Sequence, residues 1–362
     1  MKVLFDHQTF TLQEFGGISR YFYEINKCFK NLNDIETRCS LLISNNDYLA
    51  AQDVFHSYPF FRGRKFKGKL RLMLAINKFN SKRAYAKSDF DIFHPTYYDP
   101  YYLSMPRKKP VAVTCLDLIH EKYIQDDVGT LANKERSLKS ADVVFAISHN
   151  TKADLIEYYG LPSERIFVTH LASSFGPEKT VTMEGSGEKY LLYVGMRNLY
   201  KNFKPFVTAV APLLRDRKDL FLYFAGGGAF NDDELRFFSE MRIAEKVKMR
   251  PASDDSLRNL YTNAIALMFP SLYEGFGIPV LEAMACGCPV ATSDSSSLPE
   301  VGGDAALYFD PKKTDSIFGA AEQLVNDDTL RQTLRAKGYE RAKMFSWERT
   351  AKETLEVYRS MK

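Results

Sequence analysis

Two doubly wound α/β units are what this sequence predicts. Short apolar runs alternate with longer helix-period segments along its 362 residues, the alternation breaks once at a polar stretch and restarts, and the length exceeds what one core usually fills. The first unit opens on the strand KVLFD. Gly16-Gly17 then precede a segment in which Ile18, Phe22, Ile25, Phe29 and Leu32 recur at spacings of four and three, one face of a helix. DIFHP, VAVTCLD, VVFAIS and RIFVTH follow as strand candidates separated by helical stretches, which implies a mostly parallel sheet with covered faces.

Residues 173–188 (SSFGPEKTVTMEGSGE) are polar, Gly- and Ser-rich and without period, and read as the interdomain linker. The second unit runs KYLLYVG, a helix near 202–216, LFLYFAG, a helix, KVKMR, a helix, AIALMFPS, a helix, PVATSD and ALYFD. From Asn326 onward the chain is expected to be helical and carries the lone Trp347. The expected domains are residues 1–175, joined by a terminal helix at about 344–362, and residues 188–343.

With 45% hydrophobic and 26% charged residues the composition is that of a folded globular protein, not a disordered one. Five scattered cysteines form neither a C-x-x-C pair nor a metal-spaced cluster, which fits free thiols in a reducing compartment. MKVLFDH is too short an apolar run for a signal peptide, and no run reaches membrane-spanning length. A cytoplasmic chain, peripheral on the inner face of the cell membrane, is expected. The net charge of +4 is unevenly spread: residues 62–87 hold ten basic residues and no acidic one, interleaved with Phe66, Leu70, Leu72, Met73, Leu74, Ile76 and Phe79. Such a run is usually a solvated helix face; interleaved in this way it also suits an anionic membrane surface or a lipid diphosphate. Nucleic acid is not expected, because no recognised fold signature accompanies the charge.

The stretch SLYEGFGIPVLEAMACGCPV sets Glu274 and Glu282 eight positions apart around a Gly-rich turn at the end of a strand. Pro279 suits a first helical position and Gly287 a C-terminal cap, so Glu282 is placed in the first helical turn. Strand ends of this kind are where open α/β sheets bind ligands, beside the positive end of a helix. Carboxylates there accept hydrogen bonds from sugar or ribose hydroxyls. Taken alone, the pair fits a solvated strand–turn–helix equally well. Arg197 and Lys201 lie four apart directly after KYLLYVG and would share one face if a helix begins there, making a cationic clamp for a diphosphate.

Together these segments, with GGISRY, LYTNAIALMFPS and CGCPVATSDSSSLPEVGGDAALYFDP, resemble the family 4 retaining glycosyltransferases, and O-antigen mannosyltransferases among them. The resemblance implies the GT-B fold, two Rossmann-like doubly wound domains facing across a cleft, with the acceptor bound by the first and a nucleotide-sugar donor by the second. It implies that Arg197 and Lys201 hold the donor diphosphate, Glu274 the donor sugar hydroxyls and Glu282 the ribose. Gly226, Gly275, Phe276, Gly277 and Ile278 line the donor site by the same resemblance. Gly16 and Gly17 would let backbone approach phosphate or sugar. Where the family often carries His-Asp, this chain has Leu116-Asp117. Asp117 is then the candidate at that strand end, and His120, His94 and Tyr97 are acceptor candidates, although a lone histidine is more often structural.

The donor implied first is GDP-mannose, then a UDP-sugar, and the acceptor a lipid-linked or oligosaccharide glycan of surface polysaccharide. No cofactor and no metal are expected, since the one Asp-x-Asp triplet, Asp89-Phe90-Asp91, begins a strand instead of ending one. Two alternatives remain open: a nucleotide-sugar epimerase of the same fold, and a catalytically silent glycan-binding partner of another transferase.

Overall fold

The computed structural model describes residues 1–51, 53–124, 127–176 and 188–361; most of the expected linker, residues 177–187, lies outside the described residues. The chain divides into two compact units, Met1–Leu171 with Trp347–Lys362, and Ala172–Ser346.

In the first unit the strands are β1 (Lys2–Phe5), β2 (Glu36–Cys39), β3 (Ile92–His94), β4 (Ala112–Cys115), β5 (Val143–Ala146) and β6 (Ile166–Val168). They pair in parallel as β2-β1-β3 and β4-β5-β6, and one parallel bridge, Phe93 to Val111, joins the two sets. From β1 the chain winds to β2 on one side and from β3 onward to the other, which makes the carboxyl ends of β1 and β3 the topological switch point of this unit. β2 (ETRC) has no apolar run: its residues are exposed or half-buried, as an edge strand can be, and periodicity therefore missed it. The helix Gly17–Phe29 buries Phe22, Ile25 and Phe29 as its spacing predicts, and Leu32 falls beyond its end. Helix Trp347–Ser360 completes the same unit, with Trp347 beside Tyr21 and Tyr358 beside Phe29.

The second unit holds β7 (Lys189–Val194), β8 (Leu220–Ala225), β9 (Val247–Arg250), β10 (Ala266–Phe269), β11 (Val290–Ser293) and β12 (Leu307–Phe309). All neighbours are parallel, in the order β12-β11-β10-β7-β8-β9. β7 and β10 are central and adjacent, so their carboxyl ends form this unit's switch point. Tyr193, Phe203, Phe206 and Phe224 build the core over β7 and β8.

Helix Lys69–Lys87 differs from the amphipathic segment expected. Its buried line is Met73, Asn77, Ser81 and Tyr85, while Leu70, Leu72 and Phe79 stand exposed among the basic residues. The inward line is half polar because Asn77 and Ser81 bind backbone of the 40–43 segment. All five cysteines are free. No helix among the described residues is long and apolar enough to cross a membrane.

Candidate active site

At the second unit's switch point an ion pair spans the ends of the two central strands. Lys201, after β7, donates from Nζ to Glu274 Oε1, after β10, at 2.5 Å, and both side chains are largely buried. Glu274 is fixed through its backbone: its N–H donates to Ser296 Oγ, and Ser297 Oγ donates to its carbonyl and to that of Phe276. The Lys201 ammonium lies 5.2 Å from the Phe269 ring centre and 5.4 Å from that of Tyr200.

Arg197 does not join Lys201 on a helix face. A short 3₁₀ turn, Leu199–Lys201, precedes the helix Phe203–Asp216, so the two side chains share no helix face and take different partners. Arg197 Nε donates to Glu234 Oε1 at 2.6 Å, and the two terminal nitrogens donate to the carbonyls of Gly226, Gly227, Gly228 and Ala229. The turn can wrap the guanidinium because Gly226, Gly227 and Gly228 all have positive φ, and a Cβ on Gly227 would meet Arg197 Nη1 at 2.8 Å. Glu234 closes a capping box with Asn231. Burial works against its charge, and the hydrogen bonds from Arg197 and the Asn231 N–H outweigh it, so its carboxyl is held below the ordinary value.

The helix after the turn is Ile278–Ala285, capped by Gly277 at φ 104°, where a Cβ would strike Leu298. Glu282 therefore lies in the second turn, not the first, since Pro279 is the second helical residue and not the opening one. Glu282 is buried and accepts from Tyr261 OH at 3.1 Å. Ile278 is half-buried and Gly275 buried in the same turn. The Phe276 ring packs against Phe345 and is core, so only its backbone is at the turn. Asn198 Oδ1 and Ser271 Oγ are buried at these strand ends without a protein partner.

In the first unit, Asp117 follows β4 and caps the short helix Ile119–Tyr123 through Oδ1, accepting from Ile119 N–H at 3.0 Å. Its carbonyl accepts from the buried Lys134 ammonium at 2.5 Å. His120 is half-buried in that helix. His94 is core: Nδ1 pairs with Tyr358 OH at 2.5 Å and Nε2 with Thr114 Oγ1 at 2.9 Å, and burial pushes its pKa down to about 3. No ring nitrogen of His94 is left for an acceptor. Tyr97 is half-buried in the loop after β3. Gly16 caps the helix Gly17–Phe29 in extended backbone, and a Cβ there would meet only the flexible Gln13 side chain; at Gly17 a Cβ would meet nothing. Open space at Gly17, and at Gly16 a site that only the Gln13 side chain crowds, is what this pair provides, not a strained φ. Asp89 and Asp91 lie before β3, where Asp89 pairs with Lys2 and Arg38 and Asp91 accepts from Lys2 N–H.

Residues 177–341 match the model of the glycosyl transferases group 1, and residues 15–172 that of glycosyltransferase family 4. O-antigen chain mannosyltransferase B of Escherichia coli is 32% identical over 299 residues, 77% of each chain. The chain is a family 4 glycosyltransferase. Serotype-specific mannosyltransferase WbdA of the same organism is 27% identical over 364 residues, which span 91% of this chain and only 43% of WbdA. Among solved structures, the sucrose-phosphate synthase of Thermosynechococcus elongatus superposes with a TM-score of 0.77 at 19% identity, covering 99% of this chain and 98% of that one. WaaG, a glycosyltransferase involved in lipopolysaccharide biosynthesis, gives 0.72 at 14% identity and 99% of both. These likenesses establish the GT-B fold of this hexosyltransferase.

Family 4 membership makes the Lys201–Glu274 pair the centre of interest in the second unit. Glu234, which the sequence reading missed, had a visible signal: NDDELR is a capping-box pattern just after AGGGA.

Proposed function

We propose that this glycosyltransferase moves a hexose, with mannose from GDP-mannose the first choice and a UDP-sugar the next, onto a growing glycan of surface polysaccharide, with retention of configuration. The observation that carries it is the buried Lys201–Glu274 pair across the ends of β7 and β10. Lys201 has two further protons to give, so a donor diphosphate can be held without the carboxylate leaving, while Glu274 Oε2 accepts from a hydroxyl of the transferred sugar. As the glycosidic bond to phosphate breaks, charge develops on the diphosphate, and Lys201 with the positive end of helix Ile278–Ala285 stabilises it. Arg197 shapes the Gly226–Ala229 turn beside it. Glu282, held by Tyr261, suits a ribose hydroxyl. A diphosphate oxygen takes the acceptor proton, so no protein nucleophile is used. Mannosyltransferases among the relatives support the sugar and the polysaccharide.

Transfer is proposed to be metal-independent, because Lys201 supplies the charge a divalent ion would. The test is thermal stabilisation of the purified chain by GDP, UDP, dTDP and ADP, followed by transfer assays with EDTA. One base should raise Tm above the others, by mass action, and EDTA should leave the rate unchanged. A flat panel together with a rate abolished by EDTA would overturn the reading.

The acceptor is proposed to be lipid-linked and presented at a membrane surface. A groove of about 710 Å³ in the first unit is lined by Arg64, Lys65, Lys67, Lys69 and Arg71 against one acid, Glu14, with Phe66 and Leu70 exposed beside them. Vesicles containing phosphatidylglycerol should co-sediment the chain at low salt and release it as salt rises. Equal sedimentation with neutral vesicles, indifferent to salt, would sink this part.

A further inference from the structure

We infer that Ser296 is a positioning residue for the transfer: its hydroxyl, held on a strained backbone, sets the turn that carries the Glu274 carboxylate. This rests on the glycosyltransferase reading above and deepens its account of Glu274. Ser296 follows β11, and its φ of 52° lies in the left-handed region. That conformation is strained for a residue with a Cβ and free of strain for glycine, which Gly277 uses at φ 104° in the neighbouring turn. A position that only had to turn the chain would be better filled by glycine. Strain of this kind beside a functional group points to what the side chain adds.

What it adds is one acceptor. The Glu274 N–H donates to Ser296 Oγ at 2.9 Å, and among the described residues no other group accepts that N–H. Glu274 is 8% exposed, so without Oγ a buried amide would lose its partner. Two neighbouring serines complete the clasp. Ser297 Oγ donates to the carbonyls of Glu274 and Phe276, at 2.9 and 3.0 Å, and Ser293 Oγ donates to that of Ser271 at 2.5 Å. Both of these are fully buried, whereas Ser296 is half-buried, and Ser297 has an ordinary φ of −77°. Ser296 is the strained member of the three and the one that holds the Glu274 amide. From the other side, the Leu272 N–H donates to the Tyr200 carbonyl at 2.7 Å, which fastens the same segment to the residue before Lys201.

The consequence falls on the carboxylate. With its N–H and its carbonyl both held, Glu274 moves only by side-chain rotation, and the bond from Lys201 Nζ to Oε1 limits that too. The carboxylate is in place before a donor arrives, so no binding energy goes into ordering it. Loss of Oγ frees the peptide that precedes Glu274. A shift of about 1 Å at a group that contacts the transferred sugar lowers the rate by up to about a hundredfold. The nucleoside diphosphate does not touch this carboxylate in the reading above, so its own affinity should hardly change.

Two variants of the full chain separate the strain from the hydrogen bond: Ser296→Ala keeps the strained φ and loses Oγ, and Ser296→Gly loses both. The rate is read without acceptor, as the slow passage of the sugar to water from GDP-mannose, UDP-glucose, UDP-galactose or UDP-N-acetylglucosamine, whichever the parent turns over. Both variants should lower kcat about ten- to a hundredfold and keep the Kd of the free nucleoside diphosphate within about twofold. Ser296→Gly should melt no lower than Ser296→Ala, because glycine relieves the φ; activity should therefore fall alike in two variants of unlike stability. In Glu274→Ala the further change Ser296→Gly should lower kcat less than about twofold, since a residue that acts through Glu274 has no carboxylate left to position. A loss of about tenfold in that background, or a kcat in Ser296→Gly within about threefold of the parent, overturns the inference. If the parent turns over none of the four donors, the donor reading fails and the ion pair decides the positioning without substrate. Lys201→Met should then lower Tm less in Ser296→Gly than in the parent, because a displaced Glu274 is a poorer partner to lose; equal falls overturn the inference.

Discussion

Lys201→Ala should lower kcat for transfer by about two to three orders of magnitude, the loss found when one preorganised charge-stabilising donor is removed from a transition state. The ammonium is the uncommitted cation at the switch point: it spends one hydrogen bond on Glu274, whereas Arg197 is engaged by Glu234 and the carbonyls of the Gly226–Ala229 turn. The two variants should therefore separate. Lys201→Ala should weaken binding of the nucleoside diphosphate more than that of the monophosphate, with some fall in Tm because it leaves the largely buried Glu274 without its cation. Arg197→Ala strands Glu234 and a row of carbonyls, and should lower Tm as well as activity. Isothermal titration with both nucleotides, beside a melting curve, reads the difference. Equal loss of di- and monophosphate affinity in Lys201→Ala, or a kcat within tenfold of the parent, would move the diphosphate contact elsewhere.

The strands were legible because parallel strands buried on both faces are written as unbroken apolar runs: LFLYFA and ALMF could be little else. β2 was not, since ETRC lies at a sheet edge where burial does not dictate residue type. Glu274 was legible from its place after a strand. Its partner was not, because the pairing with Lys201 joins residues 73 apart in sequence and depends on β7 and β10 being neighbours. The Arg197–Lys201 spacing puts both on one face only if a helix begins there, and a 3₁₀ turn intervenes instead, with Asn202 in the left-handed region just before the helix. His94 and His7 show the limit most plainly. Both follow or end strands of one sheet, yet His94 spends both nitrogens inside the core and His7 keeps one, and only the third dimension separates them.

The largest stability effect expected in the chain is at Lys134. Its side chain is 2% exposed, and Nζ lies 2.8 Å from Glu121 Oε1 and 2.5 Å from the Asp117 carbonyl, over the Tyr98 ring. Tyr159 OH donates to the same Glu121, and burial with that carboxylate pushes the phenol up. Burial disfavours the ammonium, yet the surrounding negative groups outweigh it and raise its pKa. Lys134→Ala would leave the buried Glu121 carboxyl without its cation, which costs about 3–5 kcal/mol. In a unit of this size that is a fall in Tm of roughly 10 °C. Replacing both partners, Lys134→Met with Glu121→Leu, should recover most of it, since a buried ion pair contributes little beyond an apolar pair of like volume. The chain carries one tryptophan, Trp347, and it is buried in the first unit, so its fluorescence follows that unit alone. Destabilisation below 1 kcal/mol in Lys134→Ala would mean that water enters the cluster freely. Because Lys134 also holds the carbonyl of Asp117, the stable double variant should still transfer more slowly than the parent while binding nucleotide normally; transfer at the parent rate would confine Lys134 to stability and leave Asp117 positioned by its own cap on Ile119.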